Sequence, residues 1–86
     1  MSLDIDFEDA QARVKRLAST PPNDTLLELY SLFKQATSGD VQGKRPGMLD
    51  LKGRAKYDAW ETKRGMAKEA AMRAYIACVD RLTGGP

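Results

Sequence analysis

Apolar residues that return every three or four positions, punctuated by glycine and proline, restrict this chain to a bundle of short helices. Leu3, Phe7, Ala10, Val14 and Leu17 fall at alternating intervals of four and three, which puts them on one face of an α-helix. This first segment, about residues 4–18, is too short for a coiled coil, which needs three or more heptads. Acids fill its first turn and Arg13, Lys15 and Arg16 its last, as the helix dipole favours. Pro21-Pro22 ends it, and Asn23 or Asp24 is placed to cap a second helix over about 24–38. Leu26, Leu27, Tyr30, Phe33 and Ala36 or Thr37 would form the inner side of that helix, with Gly39 as its stop. A third helix is expected over about 53–63, with Lys52, Lys56, Trp60 and Lys63 or Arg64 along one edge and Gly65 as the break. The fourth, about 67–82, places Met72, Tyr75, Ile76, Val79 and Leu82 at core spacing. No alternating strand pattern exceeds three residues. The expected class is all-α, with residues 1–86 as one domain too small for a second core.

Residue types narrow the chemistry. The chain has no histidine and one cysteine, Cys78, so an intrachain disulfide is excluded and a structural zinc site has no ligand set. Cys78 lies in an apolar run and reads as a small buried hydrophobe. Without histidine the commonest general base is missing, as is any Ser-His or Cys-His pairing. Asp58 and Glu61 could share a helix face, but such pairs are mostly solvated charge. The stretch Gly39-Asp40-Val41-Gln42-Gly43-Lys44 is not a phosphate loop: three residues separate its glycines instead of four, Arg45 stands where Ser or Thr should hold magnesium, and no strand precedes it. A binding protein is expected, with no catalytic residue, metal or cofactor. No apolar run approaches the roughly 20 residues of a membrane span. The acidic start (Asp4, Asp6, Glu8, Asp9) is the opposite of a signal peptide's basic one, so the expected compartment is the cytoplasm.

What such a protein binds is suggested by its middle. Net charge is only +2, yet Lys44, Arg45, Lys52, Arg54 and Lys56 crowd into residues 44–56 against Asp50 alone. Residues 39–52, with three glycines and a proline, form a long loop for so small a domain, and long loops are mostly functional or disordered. Tyr30, Phe33 and Lys34 stand at i, i+3 and i+4, projecting two rings and an ammonium from one helix face. Rings, fixed cations and an apolar face together suit a ligand with an aromatic base, phosphates and a greasy tail. A nucleic-acid module could use similar parts, but its cations should form an unbroken track; here acids interrupt it, so no nucleic-acid partner is expected.

Four blocks then become recognisable: Tyr30-Ser31-Leu32-Phe33-Lys34-Gln35-Ala36-Thr37 with Gly39-Asp40; Arg45-Pro46-Gly47-Met48-Leu49-Asp50; Lys52-Gly53-Arg54-Ala55-Lys56-Tyr57-Asp58-Ala59-Trp60; and Lys68-Glu69 with Ala71-Met72 and Tyr75-Ile76. In register over essentially the whole chain, they closely resemble the acyl-CoA-binding protein family. The resemblance implies an up-down-down-up four-helix bundle that, as a monomer without chemistry of its own, buffers and transports medium- to long-chain acyl-CoA esters. It implies ligand contacts at Lys15, Leu27, Tyr30, Ser31, Leu32, Phe33, Lys34, Lys52, Lys56 and Tyr75. Of these, Tyr30, Lys34 and Lys56 would hold the nucleotide 3′-phosphate, Phe33 would stack on adenine, and Leu27 would belong to the apolar groove. The chain departs from the family pattern at three places. Phe33 stands where tyrosine is usual, Tyr57 replaces a tryptophan, and Met66-Ala67 replaces Thr-Ser, removing a side-chain cap from the fourth helix.

Overall fold

The computed structural model describes residues 2–85. Its elements are α1 (Leu3–Lys15), α2 (Asn23–Ser38), α3 (Leu51–Glu61) and α4 (Lys68–Thr83), with no strand among the described residues. The four expected helices are present, with ends shifted by a few residues. At the start of α1 the Ser2 hydroxyl accepts from the Ile5 N–H at 3.1 Å, and Asp4 and Asp6 occupy the first turn. The expected cap of α2 by Asn23 or Asp24 is not formed. Pro22 holds the cap position, its carbonyl accepting from the Leu26 N–H, and Asn23 is already helical. α3 begins two residues earlier than its glycine suggested because Asp50 caps it, accepting from the Gly53 N–H at 2.9 Å. At the start of α4 Ala67 holds the cap position and provides no side-chain cap, in keeping with Met66-Ala67.

Contacts along the helices fix their directions. Phe7 meets Tyr75 and Arg13 meets Asp80, so α1 and α4 run parallel. The start of α2 lies against the end of α4, so these two are antiparallel. Lys56 lies over Tyr30 and Trp60 reaches Gly39, so α2 and α3 run the same way. The order is up-down-down-up, and α3 packs on α2 alone.

The core is therefore a three-helix affair. Phe7 and Ala10 of α1, Leu29, Leu32 and Ala36 of α2, and Ala71, Tyr75, Cys78 and Val79 of α4 are buried together; α3 contributes no buried residue. Burial pushes the Cys78 thiol above its ordinary pKa. Arg13, in the last turn of α1 as expected, also clamps that helix to the far end of α4. Its guanidinium donates to Asp80 (2.9 Å), Thr83 Oγ1 (3.1 Å), the Gly85 carbonyl (3.2 Å) and Asp9 (3.0 Å).

Polar contacts secure α3 and its flanking loops. The Trp60 indole N–H donates to the Gly39 carbonyl at 2.8 Å. Gln35, fully buried in α2, donates to Asp40 and to the Met66 carbonyl, both at 2.8 Å. The same Asp40 oxygen accepts from the N–H of Gly65 (2.8 Å), whose φ of 88° only glycine adopts without strain. These two donors hold the Asp40 carboxyl below its ordinary pKa, the Gly65 N–H being the larger cause. The loop before α3 is pinned to that helix by a two-pronged Arg45–Asp58 pair (2.8 and 2.7 Å), by Arg54 to the Pro46 carbonyl (2.9 Å) and by the Tyr57 hydroxyl to the Gly43 carbonyl (3.0 Å).

Candidate functional site

Helix α2 carries more apolar surface than α4 and α1 can cover. Leu29, Leu32 and Ala36 turn into the core. Leu26, Leu27, Tyr30 and Phe33, expected as the inner stripe, are only half-buried or exposed, with Leu26 at 38 %. Because α3 touches α2 only, this second stripe lies open along the seam between the two halves of the molecule.

Two depressions of about 330 Å³ each occupy it. One, between α2 and α3, is lined by Asn23, Leu26, Leu27, Tyr30, Lys52, Ala55 and Lys56. The other, between α2 and the α1/α4 pair, is lined by Val14, Lys15, Pro21, Leu26, Leu29, Tyr30, Phe33 and Tyr75. They share Leu26 and Tyr30, so they are two arms of one concave surface, with apolar floors, Lys52 and Lys56 on one rim and Lys15 on the other. The structure thus brings Lys15, Leu27, Tyr30, Phe33, Lys52, Lys56 and Tyr75 together from four helices.

The remaining three candidates lie beside or beneath that surface. Lys34 sits one turn beyond Tyr30 on the same α2–α3 seam, its ammonium 4.9 Å from the centre of the Trp60 ring. Ser31 is fully buried, its hydroxyl donating to the Glu28 carbonyl at 2.8 Å, and Leu32 is a core residue. Both turn inward while their neighbours Tyr30 and Phe33 reach the concave surface.

The electrostatics sort the basic middle of the chain. Arg45 and Arg54 are occupied by Asp58 and by the Pro46 carbonyl. Asp58 is held below its ordinary pKa by its hydrogen bonds with Arg45. Lys52 and Lys56 stay on the rim of the depression without an anionic partner among the described residues. The Lys56 ammonium rests 5.4 Å from the centre of the Tyr30 ring. Lys34 and Lys56 are thus each parked over an aromatic face, a contact worth about 0.5–1 kcal/mol at an exposed site and weak enough to yield to an anion.

Phe33 and Tyr75 belong to a ring cluster. Phe33 stacks on Phe7 with centroids 6.1 Å apart, and Phe7 meets Tyr75 edge-on at 5.1 Å. Phe33 therefore packs against the core and lines the concave surface at once. Burial raises the Tyr75 phenol above its ordinary pKa, so it is a neutral hydroxyl across the physiological range. Leu26, Val14 and Ala55 line the surface too, although no sequence motif marks them as ligand contacts. The available signal is the surplus of apolar residues on α2, more than one helix stripe holds.

Two other depressions lack this combination. One, about 280 Å³, lies where the start of α2 meets the end of α4, and has Asp24, Glu28 and Arg81 but no ring. The other, about 520 Å³, has Asp4 and Glu8 at its rim, which would repel an anion. Among the described residues no cluster of His, Cys, Asp and Glu could hold a metal ion, and no helix is long and apolar enough to cross a membrane.

Comparison with known proteins agrees over nearly the whole length. The sequence model of the family described as acyl CoA binding protein matches residues 4–79. An acyl-CoA-binding protein homolog 1 of Caenorhabditis elegans is 54% identical over 78 residues, 91% of each chain. A homolog from Manduca sexta is 54% identical over 83 residues, 95% of this chain and 92% of its own. Among solved structures, the crystal structure of Oryza sativa acyl-CoA-binding protein 2 superposes with a TM-score of 0.89 at 45% identity. It covers 93% of this chain and 87% of the rice one.

Proposed function

The chain belongs to the acyl-CoA-binding protein family, and from that premise we propose that it binds medium- to long-chain acyl esters of coenzyme A and carries them unchanged. The observation that supports this most is the concave surface itself. It combines rings, lysines and an apolar floor that no single helix could assemble. In this reading Tyr30, Lys34 and Lys56 hold the 3′-phosphate, with Lys52 as a further cation for the phosphates. Phe33 offers its face to the adenine, Tyr75 and Lys15 contact the ligand from the α1/α4 side, and Leu27, joined by Leu26, lines the path of the acyl chain. Ser31 and Leu32 support the site from behind. The protein works as a monomer in the cytoplasm, buffering and delivering its ligand without a cofactor.

Magnitudes favour the assignment. A charge-assisted hydrogen bond to phosphate contributes about 1.5–3 kcal/mol, more than the cation–π contact that Lys34 or Lys56 gives up. Burying the tail contributes roughly 0.8 kcal/mol per methylene.

The phosphate assignment is tested by a cycle of two proteins and two ligands, palmitoyl-CoA and its 3′-dephospho form. Removing the phosphate should cost the wild type much more than Lys34→Ala/Lys56→Ala, by about 1.5–3 kcal/mol for each lysine–phosphate hydrogen bond. Penalties that simply add would mean these lysines read another part of the ligand.

A further inference from the structure

We propose that Met48, Leu49 and Leu51 form a lipid-inserting tip by which the protein docks on anionic bilayers beside its own groove. These are the most exposed large apolar side chains described, at 76, 101 and 75 %. Met48 and Leu49 lie in the loop entering α3 and Leu51 is the first residue of that helix; Asp50 between them turns its carboxylate back to cap the helix. Scattered exposed leucines are ordinary; three of four consecutive residues, all large, apolar and at least three-quarters exposed, are not.

The tip is held in place. Arg45–Asp58, Arg54 to the Pro46 carbonyl and Tyr57 to the Gly43 carbonyl fasten the loop behind it, and the Asp50 N–H donates to the Gly47 carbonyl at 3.0 Å. An apolar tip already ordered before docking loses little conformational entropy when it inserts.

Charge selects the partner. Arg45 is paired with Asp58 and Arg54 is held on the Pro46 carbonyl, but Lys44, Lys52 and Lys56 flank the tip in sequence, and all three are exposed without an anionic partner among the described residues. A few inserted apolar side chains ringed by lysine is the two-part signal for an anionic lipid surface. A protein partner fits less well, because a stable interface needs roughly 800 Å² per side and three side chains supply only a fraction of that. The tip is also continuous with the groove: Lys52, next to Leu51, lines the α2–α3 depression. Docking would therefore bring the groove to the surface from which an amphiphile with a long acyl chain must be taken. That use rests on the acyl-CoA reading; the docking itself does not.

The test is co-sedimentation of the ligand-free full chain with phosphatidylserine–phosphatidylcholine vesicles and with pure phosphatidylcholine vesicles. Wild type should partition at least about tenfold more strongly to the anionic vesicles, and added salt should weaken this. Met48→Ser/Leu49→Ser should lower partitioning about tenfold or more while helicity and calorimetric affinity for palmitoyl-CoA in vesicle-free buffer stay unchanged. Leu49→Ser alone, at a fully exposed position, carries the test if the double variant folds poorly. Equal partitioning of variant and wild type, or no preference for anionic vesicles, overturns the proposal. Self-association of wild type that the variant abolishes also overturns it, by making the tip an interface between copies. Because no acyl-CoA is present in the vesicle assay, its failure is separable from failure of the ligand assignment.

Discussion

The two ends of the helical layer are built differently. On the α1/α4 side, Phe7, Ala10, Ala71, Tyr75 and Val79 exclude water and Arg13 bolts the helices together. Within α3 no residue is buried; the Trp60 indole ties the helix to the end of α2, and the buried Gln35 of α2 holds Asp40 and the Met66 carbonyl in the loops on either side of it. Directional polar bonds can position a helix without filling the space beneath it; close packing cannot leave such space open. The difference is what leaves the α2 stripe available to a ligand. It also assigns mutations to one side or the other.

The largest stability effect should come from the packed side. Leu32→Ala removes a core side chain only 2 % exposed and should cost about 2–5 kcal/mol, a large share of the 5–15 kcal/mol typical of a folded domain. Affinity for palmitoyl-CoA per folded molecule should change by less than about threefold, within ~0.7 kcal/mol. Denaturant titration and calorimetry on the same variant check both. A strong affinity loss with intact stability would place Leu32 in the site and break the division.

Phe33 straddles the two sides, so its variants sharpen the comparison. Phe33→Ala should weaken palmitoyl-CoA binding more than tenfold, since a base stacked on an aromatic ring is worth about 1–3 kcal/mol. It should also lower the melting temperature, because the ring no longer stacks on Phe7. Phe33→Tyr should shift affinity by less than tenfold, because a hydroxyl adds at most about 0.5–1.5 kcal/mol. Lowered stability with unchanged affinity would leave Phe33 as core alone.

The smallest effect belongs to the polar attachment and appears only in acid. The folded-state pKa of Asp40 is depressed by the Gly65 N–H and the Gln35 amide. Its stabilising contribution is therefore complete above the unfolded-state value of about 3.9 and is lost as pH falls through the lower folded value. Melting temperatures measured from neutral pH downward should drop below about pH 4, and less steeply in Asp40→Asn. Identical slopes would show that Asp40 does not hold the α3–α4 connection.

Much of this is legible in the sequence. The four helices follow from the 3.6-residue period and from the glycine and proline stops, and the site candidates follow from a resemblance spanning the chain. Harder to read is which apolar stripe of α2 faces inward. Leu26, Leu27, Tyr30 and Phe33 have the right period for a core, and so do Leu29, Leu32 and Ala36. What separates them is that the first set faces the open seam between α3 and the α1/α4 pair, which those helices flank without filling. By sequence the whole basic middle is free for an anion. Arg45 and Arg54 are not, because Asp58 and the Pro46 carbonyl come within reach only once the loop folds back on α3. Arg13 is hidden for the same reason: its partner Asp80 is 67 residues away.

The central claim is that one open seam binds both halves of an acyl-CoA, the nucleotide by its rings and lysines and the tail by its apolar floor. Calorimetric titration of the same protein with palmitoyl-CoA, free palmitate and free coenzyme A tests it most directly. Each fragment should bind at least about a hundredfold more weakly than the intact ester, a difference of ~2.7 kcal/mol or more. Palmitate binding as tightly as palmitoyl-CoA would contradict the account, because the lysines and rings of the seam would then contribute nothing to recognition.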